Sequence, residues 1–167
     1  MAEISTGKKM IAVSMSGGRE TYLLKKILQN SGRGGVFSIV PFDGAMERGE
    51  KAALLLAPEI PACVEPGLFP ACVTKFRPEL QKPEGFAKVV TYSLEWNIAD
   101  FTARNVRQLP EGAAAFEIVG VGIIGRVRLG RGCAGDVEAA LAAAAAATAA
   151  GVPFAEALGA LNVPEQA

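Results

Sequence analysis

Four short patterns in succession near the start of the chain leave few folds open. Met10–Ser14 is an apolar run with β-branched residues, which predicts a buried strand. Gly17 and Gly18 follow it, and Glu20–Asn30 then carries apolar residues at helical spacing. Val36–Val40 predicts a second strand. This order is a βαβ unit, which implies two parallel strands joined by a right-handed crossover.

The middle of the chain predicts little regular structure. Gly49–Ala57 predicts a short helix that ends before Pro58. Residues 58–83 contain six prolines, so this Pro-rich region predicts mostly loop, with one short strand at Ala62–Val64. Regular structure then returns at Ala87–Ser93, which predicts a strand.

The second half predicts an antiparallel β-meander followed by alanine-rich helices. The meander strands are predicted at Asp100–Leu109, Ala115–Val121 and Ile123–Leu129, with a turn at Pro110-Glu111-Gly112. Asp136–Ala150 predicts a helix that Gly151 ends, and Pro153 begins another through Leu161. The expected fold class is therefore α/β, with one domain over residues 1–167. It combines a short, mostly parallel sheet, a glycine turn like that of phosphate-binding loops, the meander and the C-terminal helices.

The composition excludes several classes of function. The 167 residues include 17 basic and 17 acidic side chains and no histidine. Catalytic pairs built on imidazole and imidazole metal ligands are therefore excluded. The zero net charge lacks the basic excess of nucleic-acid-binding and membrane-adhering proteins, so neither a nucleic acid nor a membrane is an expected partner. Three cysteines without CxxC spacing, after a polar start with no signal peptide, favour a cytoplasmic location.

The glycine turn is the candidate ligand site. Its candidate nucleotide-binding residues are Ser16, Gly17, Gly18, Arg19, Glu20 and Thr21. Glycines allow a ligand to approach the backbone, and the first N–H groups of a helix favour an anion. A Walker-type loop carries Lys where this chain has Arg19, and Glu20 would place a negative charge beside phosphates. The loop alone leaves both a phosphate site and a purely structural glycine turn open.

This turn resembles motifs of two families, and segments later in the chain distinguish between the two. The SGGxD[ST] pattern of PP-loop ATP pyrophosphatases is similar to residues 16–21, with Glu20 for the Asp. The [TG]xTGTNGKTTTxYL pattern of Mur ligases is similar to Val13–Leu24, with Arg19 for the Lys. Further segments resemble the Mur ligase central ATP-binding domain in the family's order, at Val89–Glu95, Ala99–Arg107, Pro110–Gly112, Phe116–Val119 and Gly125–Leu129. They resemble in particular the synthetase that adds the third residue of the peptidoglycan stem peptide.

The resemblance implies ATP-dependent amide ligation in the synthesis of peptidoglycan precursors. The family phosphorylates the terminal carboxylate of a UDP-N-acetylmuramoyl-peptide, and an amino-acid amine then attacks the acyl phosphate. ATP and Mg²⁺ are the implied cofactors, with Thr21 and Glu65 as the implied metal ligands. Asp136 stands at a position that flanks the nucleotide base in the family, and Lys75 could stand for its carbamoylated lysine.

The chain also departs from the family pattern. The family's metal-binding His, its NxSxDH segment and its NADDP stretch have no counterpart, and no segment of these 167 residues resembles the family's flanking domains for the UDP-sugar and the amino acid. We therefore expect a fragment or degenerate copy with at most nucleotide binding, and we assign no catalytic residue. Another chain could supply the missing domains. Two alternatives stay open, a PP-loop adenylating enzyme and a non-catalytic interaction module.

Five arginines stand on the predicted meander or just after it. They are Arg104, Arg107, Arg126, Arg128 and Arg131. If they share one face, they form either an anion-binding patch or a set of charges balanced within the meander, and the sequence does not separate these two interpretations.

Overall fold

The computed structural model describes residues 9–14, 18–42, 52–60, 67, 69–79, 85–120, 122–130 and 134–164. In this part of the chain, eight strands form one sheet in the order β2-β1-β3-β4-β5-β6-β7-β8. The strands are β1 (Lys9–Ser14), β2 (Phe37–Phe42), β3 (Leu54–Leu56), β4 (Ala71–Lys75), β5 (Lys88–Ser93), β6 (Phe101–Gln108), β7 (Ala114–Gly120) and β8 (Ile123–Leu129). The α-helices of this part are α1 (Arg19–Asn30), α2 (Ala134–Ala149) and α3 (Phe154–Leu161).

The sheet confirms the predicted α/β class. β1 pairs in parallel with β2 on one side and with β3 on the other, and parallel pairing continues through β4 and β5 to β6. β6, β7 and β8 form the predicted antiparallel meander. After β1 the chain passes through α1 to β2 on one side of β1, and it later returns to form β3 on the other side. This reversal of strand order next to β1 is where parallel sheets commonly bind ligands, at the carboxyl ends of the strands. We call that side of the sheet the carboxyl edge.

Alternation along the strands divides the apolar residues between two faces. Ile11 and Leu54 face the helices and join the large core cluster, whereas Ala12, Leu55 and Cys72 face the other way and join a smaller one. This division follows from the two-residue period of a strand. The large cluster therefore fixes the helices against one face of the sheet.

The helices that cover this face bury small and large side chains differently. α1 buries its apolar stripe, which consists of Leu23, Leu24, Ile27 and Leu28. In α2 every residue from 139 to 147 is at most 2% exposed, and all but Leu141 are alanine. Alanine has the highest helix propensity and adds little width, so α2 fits closely between α1 and the strands. None of the helices in the described part combines the length and apolarity needed to cross a bilayer.

Two strands lie where the sequence predicts other structure. Leu54–Leu56 is a central strand, so the predicted helix over Gly49–Ala57 is wrong there. A short apolar run that is buried on both faces shows no alternation, and periodicity cannot distinguish it from a helix. Ala71–Lys75 is a strand inside the predicted Pro-rich loop, and Pro70 precedes it where no ladder hydrogen bond is lost. Residues 49–51 and the predicted strand Ala62–Val64 lie outside the described residues.

The meander extends beyond the parallel part of the sheet. β6 pairs with the end of β5 through two residue pairs, Tyr92 with Phe101 and Ser93 with Thr102. Because the two strands are parallel, the rest of β6 continues past the carboxyl edge and carries β7 and β8 with it. A β-bulge interrupts the β6–β7 register between Arg104 and Arg107.

Candidate functional site

A cleft of about 450 Å³ opens at the carboxyl edge, between the end of β1, the start of α1 and β2. It is lined by Val13, Ser14, Gly18, Thr21, Lys25, Ile39, Val40 and Pro41. The cleft brings together two of the predicted nucleotide-binding residues, Gly18 and Thr21, and adds a lysine one turn further along α1. The predicted residues Ser16 and Gly17 lie outside the described residues.

The start of α1 is shaped by Gly18. Gly18 is the N-cap residue, no side chain caps the helix there, and the Gly18 carbonyl accepts a hydrogen bond from the Tyr22 N–H at 3.0 Å. Its φ of −88° suits any residue, and a Cβ at this position would meet no heavy atom within 4 Å. Neither backbone strain nor packing within the described residues therefore requires glycine. What remains at this position is open space above the positive end of a helix dipole, which is favourable for an anion.

Two charged side chains belong to the first turn of α1, Arg19 and Glu20. The Arg19 guanidinium lies 5.1 Å from the centre of the Tyr22 ring, a cation–π contact along its own helix. Glu20 is the acidic residue of the first turn, where it interacts favourably with the helix dipole. The cation among the described residues that line the cleft is Lys25. The sequence pattern assigns Lys25 to the solvent face of α1, and its position beside the cleft depends on where β2 lies.

Ion pairs occupy the carboxyl ends of the neighbouring strands. Lys75, at the end of β4, forms a 2.8 Å ion pair with Glu138 of α2. Arg77 lies 3.6 Å from Glu59, which follows β3. The Thr74 hydroxyl donates a hydrogen bond of 3.2 Å to the Pro58 carbonyl and so connects the two strand ends. Lys75, which the resemblance places at a carbamoylated lysine, is thus held as a charged partner of α2.

The pKa of Tyr92 is raised by its surroundings at the carboxyl edge. This residue lies in β5 and is 1% exposed. Burial raises the pKa of its phenol, and the negative charges of Glu138 and Glu20 raise that pKa further. The first turn of α1 and the first turns of α2 therefore both place carboxylates near this phenol. On the other face of the sheet, burial alone raises the pKa of the Cys72 thiol to about 12, which makes it an inert core residue.

The predicted metal ligands are brought together only in part. Thr21 lines the cleft, whereas Glu65 lies outside the described residues. Glu59 is a carboxylate three residues after the end of β3, the strand next to β1. Among the described residues, no group of three or more Cys, Asp and Glu side chains is arranged to hold a metal. Asp136 belongs to the first turn of α2, and its side chain lies outside the described part.

Comparison with solved structures identifies the fold. One similar structure is UDP-N-acetylmuramoyl-L-alanyl-D-glutamate–2,6-diaminopimelate ligase, with a TM-score of 0.74, 14% identity and coverage of 93% of this chain and 46% of that one. Another is MurF from Acinetobacter baumannii, with a TM-score of 0.70, 16% identity and coverage of 96% of this chain and 47% of that one. A third is the MurF ligase from Thermotoga maritima in complex with ADP, with a TM-score of 0.60, 14% identity and coverage of 91% and 48%.

These matches extend over nearly the whole of this chain, and the chain spans about half the length of each solved structure named above. No protein-family model matches the sequence, and no curated protein matches it. Structure rather than sequence therefore carries the comparison. The chain has a Mur ligase-like fold.

Proposed function

We propose that this chain is a nucleotide-binding domain that takes ATP with Mg²⁺ in the cleft between β1 and α1. The observation that carries the proposal is the cleft itself. Gly18, Thr21 and Lys25 line it at the reversal of strand order beside β1, in a fold similar to Mur ligases, one of which was solved with ADP.

The residues present suit the phosphates of a nucleotide. The open N-terminus of α1 offers backbone N–H groups above Gly18, where no side chain caps the helix. Lys25 supplies a positive charge from the wall of the cleft, and we assign it the phosphate contact that a Walker-type loop obtains from its lysine. Arg19 follows Gly18 and adds positive charge at the start of α1, where it contacts the Tyr22 ring.

The oxygen ligands also suit Mg²⁺, which prefers hydroxyl, carboxylate and water oxygens and keeps several of its waters. Thr21 would supply a hydroxyl, and Glu59 and the predicted Glu65 would supply carboxylates from the neighbouring strand end and loop. When bound, the ion neutralises negative charge on the phosphates. Asp136 stays our proposal for the side of the nucleotide base.

The finer proposal is a role in ATP-dependent amide ligation on UDP-N-acetylmuramoyl-peptide precursors of peptidoglycan, in the cytoplasm. It rests on the second-half sequence resemblance together with the fold. The whole sequence lacks the histidine that the family uses for metal binding. We therefore propose nucleotide binding as the activity of this chain by itself, with ligation dependent on residues that another chain could contribute.

Calorimetric titration with Mg-ATP tests the proposal. We expect saturable binding that Lys25→Ala and Arg19→Ala each weaken, because a charge-assisted hydrogen bond contributes about 1.5–3 kcal/mol, or roughly tenfold or more in affinity. Lys88→Ala is the matched control, since it removes the same charge from an exposed site at the start of β5, on the opposite edge of the sheet.

Three outcomes would contradict this assignment. They are no saturable binding by the wild-type chain, equal weakening by Lys88→Ala, and full binding by both cleft variants. Where ATP is turned over, with a second chain that supplies the missing residues, product analysis addresses the chemistry. ADP and phosphate support the ligase-like assignment, whereas AMP and pyrophosphate would instead indicate the PP-loop class.

A further inference from the structure

Four arginines of the meander form two cross-strand rows on one face. In the first row Arg104 of β6 pairs with Glu117 of β7, which pairs with Arg126 of β8. In the second row Arg107 pairs with Ala115, which pairs with Arg128. Residues directly opposite each other share a face, and so do residues two apart on one strand. The rows are therefore neighbours on the same face. They differ in the central residue, which is Glu in one and Ala in the other.

The first row is balanced internally. The Glu117 carboxylate accepts hydrogen bonds from Arg104 Nε at 3.0 Å and from Asn105 Nδ2 at 2.8 Å, and Arg126 Nε lies 3.9 Å from its other oxygen. Asn105 reaches this carboxylate because its φ of 54° places it in the left-handed region at the β-bulge. One carboxylate thus serves both arginines of the row.

The second row has no such carboxylate. Ala115 occupies the central position, and among the described residues no acidic side chain lies within ion-pair distance of Arg107 or Arg128. Both arginines are exposed. Their Cα atoms are two strand spacings apart, or about 9.5 Å, so both long side chains can reach a group placed above the Ala115 methyl.

The two rows border a cleft of about 810 Å³, whose lining includes Arg107, Arg128 and Asn162. Asn162 follows α3, and its side chain accepts a hydrogen bond from the Arg128 N–H and donates one to the Arg126 carbonyl, both at 2.8 Å. These are the backbone groups at this end of the free edge of β8. Since they are already satisfied, an added peptide strand cannot pair there. The cleft therefore suits a small anion rather than an extended peptide.

We propose that this cleft binds the phosphoryl group of a small molecule, held between Arg107 and Arg128 above Ala115. A phosphoryl dianion neutralises two positive charges and has three terminal oxygens, so it can accept hydrogen bonds from both guanidinium groups. A single carboxylate neutralises one charge. β7 is five strands away from β1, or about 24 Å across the sheet, so this site is separate from the nucleotide cleft.

The test uses the full chain and two probes that share the phosphoryl group, inorganic phosphate and glucose 6-phosphate, each titrated by calorimetry. We expect both to bind, and tighter binding of the sugar phosphate would identify a phosphate ester as the ligand class. Arg107→Ala and Arg128→Ala should each weaken binding about tenfold or more. Each titration is repeated in a chain that carries both Arg19→Ala and Lys25→Ala, so that phosphate held at the cleft between β1 and α1 does not contribute. Binding that remains in that chain and is lost with Arg107→Ala or Arg128→Ala belongs to the arginine rows, so failure of the nucleotide assignment is distinguishable from failure of this one.

A sharper variant is Ala115→Glu, which gives the second row the central carboxylate that the first row already has. It should reduce phosphate binding about tenfold or more by pairing with Arg107 and Arg128. Ala115→Gln is the uncharged control of the same size and should reduce it less than about threefold. Thermal unfolding followed by circular dichroism checks that both variants fold.

Several results would overturn the proposal. They are the absence of phosphate binding, equal losses in the Glu and Gln variants, and retention of binding in both arginine variants. A fourth is that succinate, a dicarboxylate with two negative charges and no phosphoryl group, binds as tightly as phosphate.

Discussion

Gly125 lies in β8 against Leu158 of α3, where an added methyl group has no room. A Cβ at Gly125 would overlap Cδ1 of Leu158 and would lie 3.1 Å from its Cγ and 3.3 Å from its Cδ2. Ordinary carbon–carbon contacts are about 3.5–4.0 Å. Gly125→Ala therefore forces Leu158 to move, although that side chain is only 8% exposed and packs in the main core.

The cost of Gly125→Ala has an upper bound in this geometry. Leu158 can at worst lose its core contacts, and complete loss is what Leu158→Ala measures, at about 2–5 kcal/mol. Replacing glycine by alanine within a strand otherwise raises the free energy of unfolding by about 0.5–1 kcal/mol. We expect a net loss of about 1–3 kcal/mol in the free energy of unfolding. A loss of about 2 kcal/mol lowers Tm by about 4–8 °C in a domain of this size.

The double variant makes the reasoning specific. Once Leu158 is alanine the overlap disappears, so adding Gly125→Ala should cost nothing further and should partly fill the cavity. Urea unfolding of the four proteins should give a combined loss smaller than the sum of the single losses by at least about 1 kcal/mol. Gly159→Ala in α3 is the matched control. A Cβ there meets nothing within 4 Å, and alanine in a helix should stabilise by about 0.5–1 kcal/mol.

Additive losses in the double variant would refute this reasoning. So would a Gly125→Ala variant as stable as the wild type, because both results would mean that Leu158 does not fill the space in front of Gly125.

Two further predictions concern the meander. Hydrogen bonds from Arg104 and Asn105 lower the pKa of Glu117, so its contribution to stability is present above its unfolded pKa of about 4.5 and is lost as the pH falls through the lower folded value. Glu117→Gln should therefore flatten the acid side of the stability–pH profile measured by urea unfolding, and an unchanged slope below pH 4.5 would contradict this. Asn162→Ala removes the side chain that hydrogen-bonds the backbone groups at the edge of β8. Hydrogen exchange of the Arg128 amide should therefore accelerate at least about tenfold, while Tm falls by only a few degrees. Unchanged exchange would show that another group protects this edge.

Local patterns were sufficient for the outer parts of the fold. The apolar stripe of α1 and the alternation in β7 each report one buried face, and the turn at Pro110–Gly112 has the positive φ values at Glu111 and Gly112 that such turns adopt. Leu54–Leu56 and Ala71–Lys75 lie in the middle of the sheet and are buried on both faces. Alternation of polar and apolar residues cannot identify such strands, because neither of their faces is exposed to solvent.

The candidate sites depend on tertiary contacts and strand register, which local sequence patterns do not predict. Gly18 and Thr21 follow from a local pattern, and they do line the cleft. Lys25 becomes part of it only because β2 lies beside α1. In the same way, the arginines of the meander are visible as a group, but strand register decides that Glu117 lies between one pair and Ala115 between the other.

The parallel and antiparallel halves of the sheet differ in how much chain entropy is lost when their strands pair. In the meander Gly120 pairs with Ile123, so that contact closes a very short loop. In the parallel half Ile11 pairs with Leu54, and closing that much longer loop costs about 2 kcal/mol more. The cleft between β1 and α1 thus lies in the half of the domain whose strands are brought together at the greater entropic cost, and the arginine rows lie in the half where strand pairing costs least.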